Sequence, residues 1–317
     1  MYKRQILEEC VAMNLDAKAP DKQERREFER KCMAMGISVK DIKLVDGKRR
    51  EILVTAKTFM KGCVSERVLR ETVSSVFKAK FFSNQDNRVI INEEPDQYVF
   101  YQENRFRILS GMARKCKEEE NTSGDNFLLK KLNCGKMVAA IADGCGSGKR
   151  AFAESRMVIE LMENCIEAGF EEKTAIDLIN SAYIAGTTFN NPVTMDMSII
   201  DCQAGVINCI KLGAVSTFIK RDNWVEIIKS TTLPMGVLEQ VDYDCTTKKL
   251  YDGNYIIMIS DGVLDNLSGI NKEEQMVEII NNINVKKPAG IAKKILEESL
   301  KNNNMEAFDD CTVMVLG

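Results

Sequence analysis

Beyond residue 125 the chain reads as short strands interrupted by helices in pairs, and that order leaves few folds open. "NFLLKKL" and "KMVAAIAD" are strand-like, with a turn at 133–135. Two amphipathic helices follow, at about 148–168 and 171–184, then a run of strands in "TMDMSIIDC", "GVINCIKLG", "VSTFIKR", "WVEIIKS" and "DGNYIIMISDG". "NKEEQMVEIINNI" and "AGIAKKILEESLKN" form a second helix pair before a closing strand, "CTVMVLG". Strands that follow one another without a helix between each are antiparallel in style, and paired helices must cover the sheet faces. The expectation is an α+β fold, a β-sandwich flanked by helices.

The first third has another texture. "QILEECVAMNLDAK" and "KQERREFERKCMAMG" read as helices within 1–36, the second charged enough to be half of a coiled coil or a solvated helix with one apolar face. Asp46 and Gly47 sit between two alternating runs, a hairpin signal. "SERVLRETVSSVFKA" is an amphipathic helix with Ser65 as N-cap, and "RVIINEE" and "QYVFYQ" are strand-like. No acidic cluster or glycine-rich loop appears in this part. Residues 37–116 are therefore expected to be an α+β regulatory or dimerising module, through which a homodimer could form, and 117–317 the catalytic domain.

Bulk properties exclude several classes. A net charge of −3 over 317 residues gives no general attraction to nucleic acid. No apolar run is long enough to span a membrane, and "MYKRQILEEC" has no signal-peptide core, so any anchor would belong to a longer protein. The eleven cysteines contain no C-x-x-C pair, which fits reduced cytoplasmic thiols better than zinc or a disulfide framework. A cytoplasmic protein, or the cytoplasmic part of a membrane protein, is expected. There is no histidine, so histidine general acids, Ser-His and Cys-His catalysis and histidine metal ligands are all excluded.

Chemistry must then come from carboxylates, thiols, lysines or bound metal. "ADGCGSGKRA" suggests a phosphate loop at first sight, but Asp143 stands where its first glycine belongs and Arg150 where its hydroxyl belongs. The acids are more telling. Asp143 follows "MVAAIA", Asp261 follows "YIIMIS", Asp309 and Asp310 precede "CTVMV", and Asp125 precedes "NFLL". Aspartates at the ends of buried strands can converge at one edge of a sheet. Their mutual repulsion is relieved by a hard divalent cation, which prefers oxygen ligands. Glycine after the acid leaves a backbone carbonyl open to a metal.

"SGDNF", "ADGCGSG", "LPMGV", "ISDG" and "DDCTVMV" occur in the order and spacing of the metal-dependent Ser/Thr protein phosphatases of the protein phosphatase 2C type. Within that family the chain is most similar to the sporulation branch, the stage II sporulation protein E type, over residues 123–317. The resemblance implies a two-metal site holding Mn2+ or Mg2+. Asp143 would bridge the two ions, with the Gly144 carbonyl on one and Asp261 and Asp309 on the other. Asp310 would support the ligands, and Asp125 would act through metal-bound water. The catalytic set implied is Asp143, Asp261 and Asp125, with attack on phosphate by a metal-bridging water.

The implied substrate is a phosphoserine or phosphothreonine on a small anti-anti-sigma-type protein. Lys149 and Arg150 are candidate phosphate contacts, while Arg114 lies too far upstream to be assigned. The helix pair after "ADGCGSG" resembles a switch element of the sporulation branch, which residues 1–122 could gate. A non-catalytic phosphatase-fold scaffold is the alternative that the intact Asp143, Asp261 and Asp309 disfavour. Cys145 lacks the loop of a thiol phosphatase.

Overall fold

A computed structural model describes residues 17–46, 50–59, 62–84, 86–117, 122–132, 135–146, 148–186, 191–222 and 224–317. The helix expected at 5–18 and the hairpin turn at 47–49 lie mostly or wholly outside them. The chain divides into two compact units. The first runs to Arg105 and takes in Leu132–Lys136; the second holds Phe106–Lys131 and Met137–Gly317.

The first unit contains β1 (Ala17–Lys18), α1 (Lys22–Ala34), β2 (Ile37–Asp46), β3 (Arg50–Thr58), β4 (Val64–Ser65), α2 (Glu66–Val76), β5 (Phe81–Ser83), β6 (Ile90–Ile91) and β7 (Asp96–Gln102). One antiparallel sheet runs in the order β1-β2-β3-β7-β5. Every second residue of β3, from Ile52 to Thr58, is buried, so the sheet is covered on one face. Phe28 and Cys32 of α1 and Leu69 and Val73 of α2 pack there against Val54, Tyr98 and Phe100. The charged helix is thus part of this core and not a separate segment. Ser65 caps α2 as expected, accepting from the Arg67 N–H, and Asp21 caps α1. The strand read in "RVIINEE" shrinks to Ile90–Ile91, paired with β4.

The second unit contains β8 (Ser110–Lys115), β9 (Asp125–Lys131), β10 (Lys136–Gly144), α3 (Gly148–Glu167), α4 (Glu172–Ala185), β11 (Val193–Asp201), β12 (Val206–Leu212), β13 (Thr217–Lys220), β14 (Val225–Ile228), β15 (Asp244–Lys249), β16 (Tyr255–Ile259), α5 (Asp261–Asp265), α6 (Lys272–Asn282), α7 (Pro288–Leu300) and β17 (Cys311–Leu316). They form two five-stranded sheets, β15-β12-β11-β10-β9 and β14-β13-β16-β17-β8. Met137, Ala139 and Ile141 of the first sheet meet Met258, Met314 and Leu316 of the second in the space between. The outer face of the second sheet, with Ile257, Ile259, Val313 and Val315, buries Met276, Ile280, Ile291 and Ile295 of α6 and α7. α3 packs on β9 and β11 of the first sheet, with Val158 and Met162 fully buried. A strand buried on both faces reads as a continuous apolar run, which is why "MVAAIA" shows no alternation.

The α+β sandwich flanked by helices is the fold observed. The boundary expected at 116 falls instead between Arg105 and Phe106. The cause is β8, which pairs residue for residue with β17, Arg114 opposite Thr312 and Lys115 opposite Cys311. Among the described residues no helix is long and apolar enough to cross a membrane.

Candidate active site

The aspartates stand at one end of the sandwich because the registers put them there. Asp125 opens β9, and its cross-strand partner is Asp143, the penultimate residue of β10. In the other sheet Ile259 pairs with Val313, so β16 runs out to Asp261 beside the start of β17, where Asp309 and Asp310 lie. Asp125 is 1 % exposed and Asp310 3 %.

The electrostatics are those of buried carboxylates held close to one another. Asp143 is pushed up to about 9, first by burial and then by the negative charges of Asp125, Asp261 and Asp309. Burial likewise pushes Asp125 up to about 7, with Asp261 and Asp310 adding to the rise and the nearby Thr312 and Ser260 hydroxyls opposing it. Burial and the Asp309 charge raise Asp261. Neither Asp125 carboxylate oxygen has a hydrogen-bond partner of ordinary geometry. Thr312 Oγ1 accepts instead from Arg114 Nε at 3.2 Å, and Ser260 Oγ lies 3.2 Å from the Asp310 carbonyl, to which it donates.

Asp310 is turned away to brace the chain. Its Oδ1 accepts from the Lys117 N–H at 2.9 Å and its Oδ2 from the Gly124 N–H at 2.6 Å. It thereby fixes the approach to Asp125, in keeping with a supporting place beside the ligands. Ser155 of α3 hydrogen-bonds the Gly124 carbonyl, and Asn126 reaches the Phe152 carbonyl at 3.1 Å, so the start of β9 is held from the helix side as well. Gly144 is where α3 comes nearest: a Cβ there would lie 2.4 Å from the Ala151 carbonyl oxygen. Gly146 and Gly148 have φ of +100° and +77°, so they form a bend from strand into helix that other residues adopt at a cost.

The two candidate phosphate contacts are less directly placed. Arg150 Nε pairs with Glu154 at 3.2 Å, and that carboxylate is fully buried and also receives Asn191. Lys149 is exposed on the first turn of α3, as is Cys145 just before it. Arg114 is the residue that sequence spacing misses. Its Nη2 donates to the Asp125 carbonyl at 2.6 Å, and its guanidinium lies over the Phe127 ring at 5.4 Å. Only the pairing of β8 with β17 brings it there.

Among the described residues, no three acidic or thiol side chains already close on one point as a finished metal cage. The donor set nevertheless suits a hard divalent cation: all-oxygen, histidine-free, mutually repelling, and with two buried Asp125 oxygens lacking a donor.

This fold and carboxylate arrangement define a protein phosphatase 2C-type domain. The chain belongs to the stage II sporulation protein E (SpoIIE) family, whose model matches residues 133–317. It is 30 % identical over 256 residues to stage II sporulation protein E of Bacillus subtilis, covering 80 % of this chain and 31 % of that protein. To its counterpart in Priestia megaterium it is 34 % identical over 211 residues, covering 66 % and 36 %. The chain thus spans about a third of the length of these curated relatives. A structure of the PP2C phosphatase domain and a regulatory-domain fragment of the cell fate determinant SpoIIE from Bacillus subtilis superposes with a TM-score of 0.73 at 25 % identity. That match covers 99 % of this chain and 91 % of the other.

Proposed function

We propose that the protein is a metal-dependent phosphoprotein phosphatase that hydrolyses phosphoserine or phosphothreonine. The observation that carries this reading is the approach of Asp125 and Asp143, on one sheet, to Asp261 and Asp309, beside strands of the other, with burial and neighbouring negative charge raising Asp125, Asp143 and Asp261. Asp143, the Gly144 carbonyl, Asp261 and Asp309 would hold two Mn2+ or Mg2+ ions. When bound, such ions lower the pKa of a water between them and neutralise phosphate oxygens during in-line displacement. Asp143 and Asp261 would serve as ligands in their ionised forms, which the positive charge of the ions would favour. Asp125, whose neighbour Gly124 is held by Asp310 and Ser155, would accept a hydrogen bond from water and keep it oriented. No side-chain nucleophile is required, in keeping with a chain that has no histidine and whose Cys145 lacks a phosphate-cradling loop.

Family membership supports a small anti-anti-sigma-type phosphoprotein as the substrate and the cytoplasm as the place of action; the described cysteines are all free thiols. The test is release of phosphate from a phosphoserine peptide, with and without Mn2+, by the wild type and by Asp143→Asn. Activity should require Mn2+ and should be lost in the variant. Turnover that ignores Mn2+, or that survives Asp143→Asn, overturns the reading.

A further inference from the structure

Asp125 and Asp143 hang from one sheet, Asp261 and Asp309 from the other. A cation held between the pairs senses the distance between the sheets at this edge of the sandwich. That edge is formed by β8 and β9, the outermost strands of their respective sheets. β8 reaches across it with one side chain, Arg114. Its Nε donates to Thr312 Oγ1 of β17 at 3.2 Å, within its own sheet. Its Nη2 donates to the carbonyl of Asp125, in the opposite sheet, at 2.6 Å. Its guanidinium lies over Phe127 of β9, 5.4 Å from the ring centroid. Thr312 is fully buried, so one anchor of this bridge is fixed by the core.

We infer that Arg114 is a positioning residue: a two-armed clamp that sets the separation of the two carboxylate pairs, and through it the affinity for the divalent cation. The inference rests on the proposed metal site. The planar guanidinium suits the task because it can serve two acceptors in fixed relative directions while stacking on a ring. A lysine ammonium is a point charge on a flexible stem. The clamp acts on the backbone of Asp125, not on its carboxylate, so it fixes where that side chain starts without competing for its oxygens. Arg114 is exposed outside these contacts, and its removal leaves no buried void.

The experiment measures Mn2+ binding to the full chain by calorimetry, for the wild type, Arg114→Met, Arg114→Lys and Arg221→Met, with melting temperatures in EDTA alongside. Met at 114 keeps a stem over Phe127 and removes both hydrogen bonds. Arg221 is the control. It makes comparable contacts, to Glu226 at 3.0 Å and Asn254 at 2.9 Å, at the opposite end of the same sandwich. Loss of a partner that orients metal ligands costs about 10–100-fold in metal affinity, which is the expected result for Arg114→Met. Arg114→Lys should recover part of it. Arg221→Met should lower the melting temperature and leave Mn2+ affinity unchanged. Wild-type affinity in Arg114→Met, or an equal loss in Arg221→Met, overturns the clamp. A wild type that binds no Mn2+ overturns the metal site itself and the clamp with it, and is distinguished by its occurring before any substitution.

Discussion

The carboxylate cluster makes the metal-free protein less stable than its fold alone would allow, and Asp143→Asn should reveal by how much. Asp143 is held at about 9 in the folded chain against an ordinary 3.8, so between these values the folded protein keeps a proton that the unfolded chain releases. Stability therefore falls as pH rises through this window, by about 1.4 kcal/mol per pH unit for one group. From pH 4 to 7 the ceiling is about 4 kcal/mol. Asp125, raised to about 7, relieves part of the same repulsion by taking up a proton itself, so about 4 kcal/mol is an upper bound for Asp143. Asparagine has nearly the same shape and does not ionise, so the variant escapes this loss. For a unit of this size each kcal/mol corresponds to roughly 2–4 °C in melting temperature. Thermal unfolding in EDTA at pH 4, 5.5 and 7 should show the variant melting higher than the wild type at pH 7 and with it at pH 4. Mn2+ should then raise the wild type and leave the variant where it was. A gap that is the same at pH 4 and 7, or a wild type that melts higher than the variant at pH 7, would refute this account.

Two further outcomes follow from packing. Gly144→Ala places a methyl 2.4 Å from the Ala151 carbonyl oxygen, so α3 must shift; a loss of about 1–3 kcal/mol in denaturant unfolding and weaker Mn2+ binding are expected. The fully buried Lys211 pairs with Asp196 at 2.8 Å inside the sandwich. Lys211→Met alone strands the Asp196 charge and should cost about 3–5 kcal/mol, whereas Asp196→Leu with Lys211→Met should recover most of it, a contrast that a double-mutant cycle measures directly.

The fold was legible wherever burial leaves a mark on the sequence. β10 and β16 are buried on both faces and read as apolar runs; α3 and α4 show helical periodicity; Ser65 announces its helix. β15 was not legible. "DCTTKK" is an edge strand that alternates half-buried with exposed residues, and nothing apolar marks it. The short helix α5 was hidden because Asp261 and Gly262 also read as an ordinary turn. Asp143, Asp261 and Asp309 could be found because each lies at the end of a buried strand; Asp125 opens β9, an edge strand that is half-exposed. Arg114 could not, since it reaches Asp125 only through the register of β8 with β17, a pairing across nearly the whole second unit, and Ser260 and Thr312 are brought near through the pairing of β16 with β17. Arg150, a candidate phosphate contact in the sequence, pairs with Glu154 one turn along the same helix.

The place of β17 also governs the order of events during synthesis. It lies between β16 and β8, and it supplies both the strand that β8 needs and the approach carrying Asp309. At about 5–20 residues per second, roughly 10–40 seconds separate translation of 115 from that of 311. Throughout that interval β8 has no strand to pair with, Arg114 has no Thr312 to anchor it, and Asp261 has no Asp309 beside it. The carboxylates of the proposed site therefore cannot come together in a nascent chain until its second sheet closes, and a fragment ending before 311 should lack phosphatase activity even though most of its sandwich has been made.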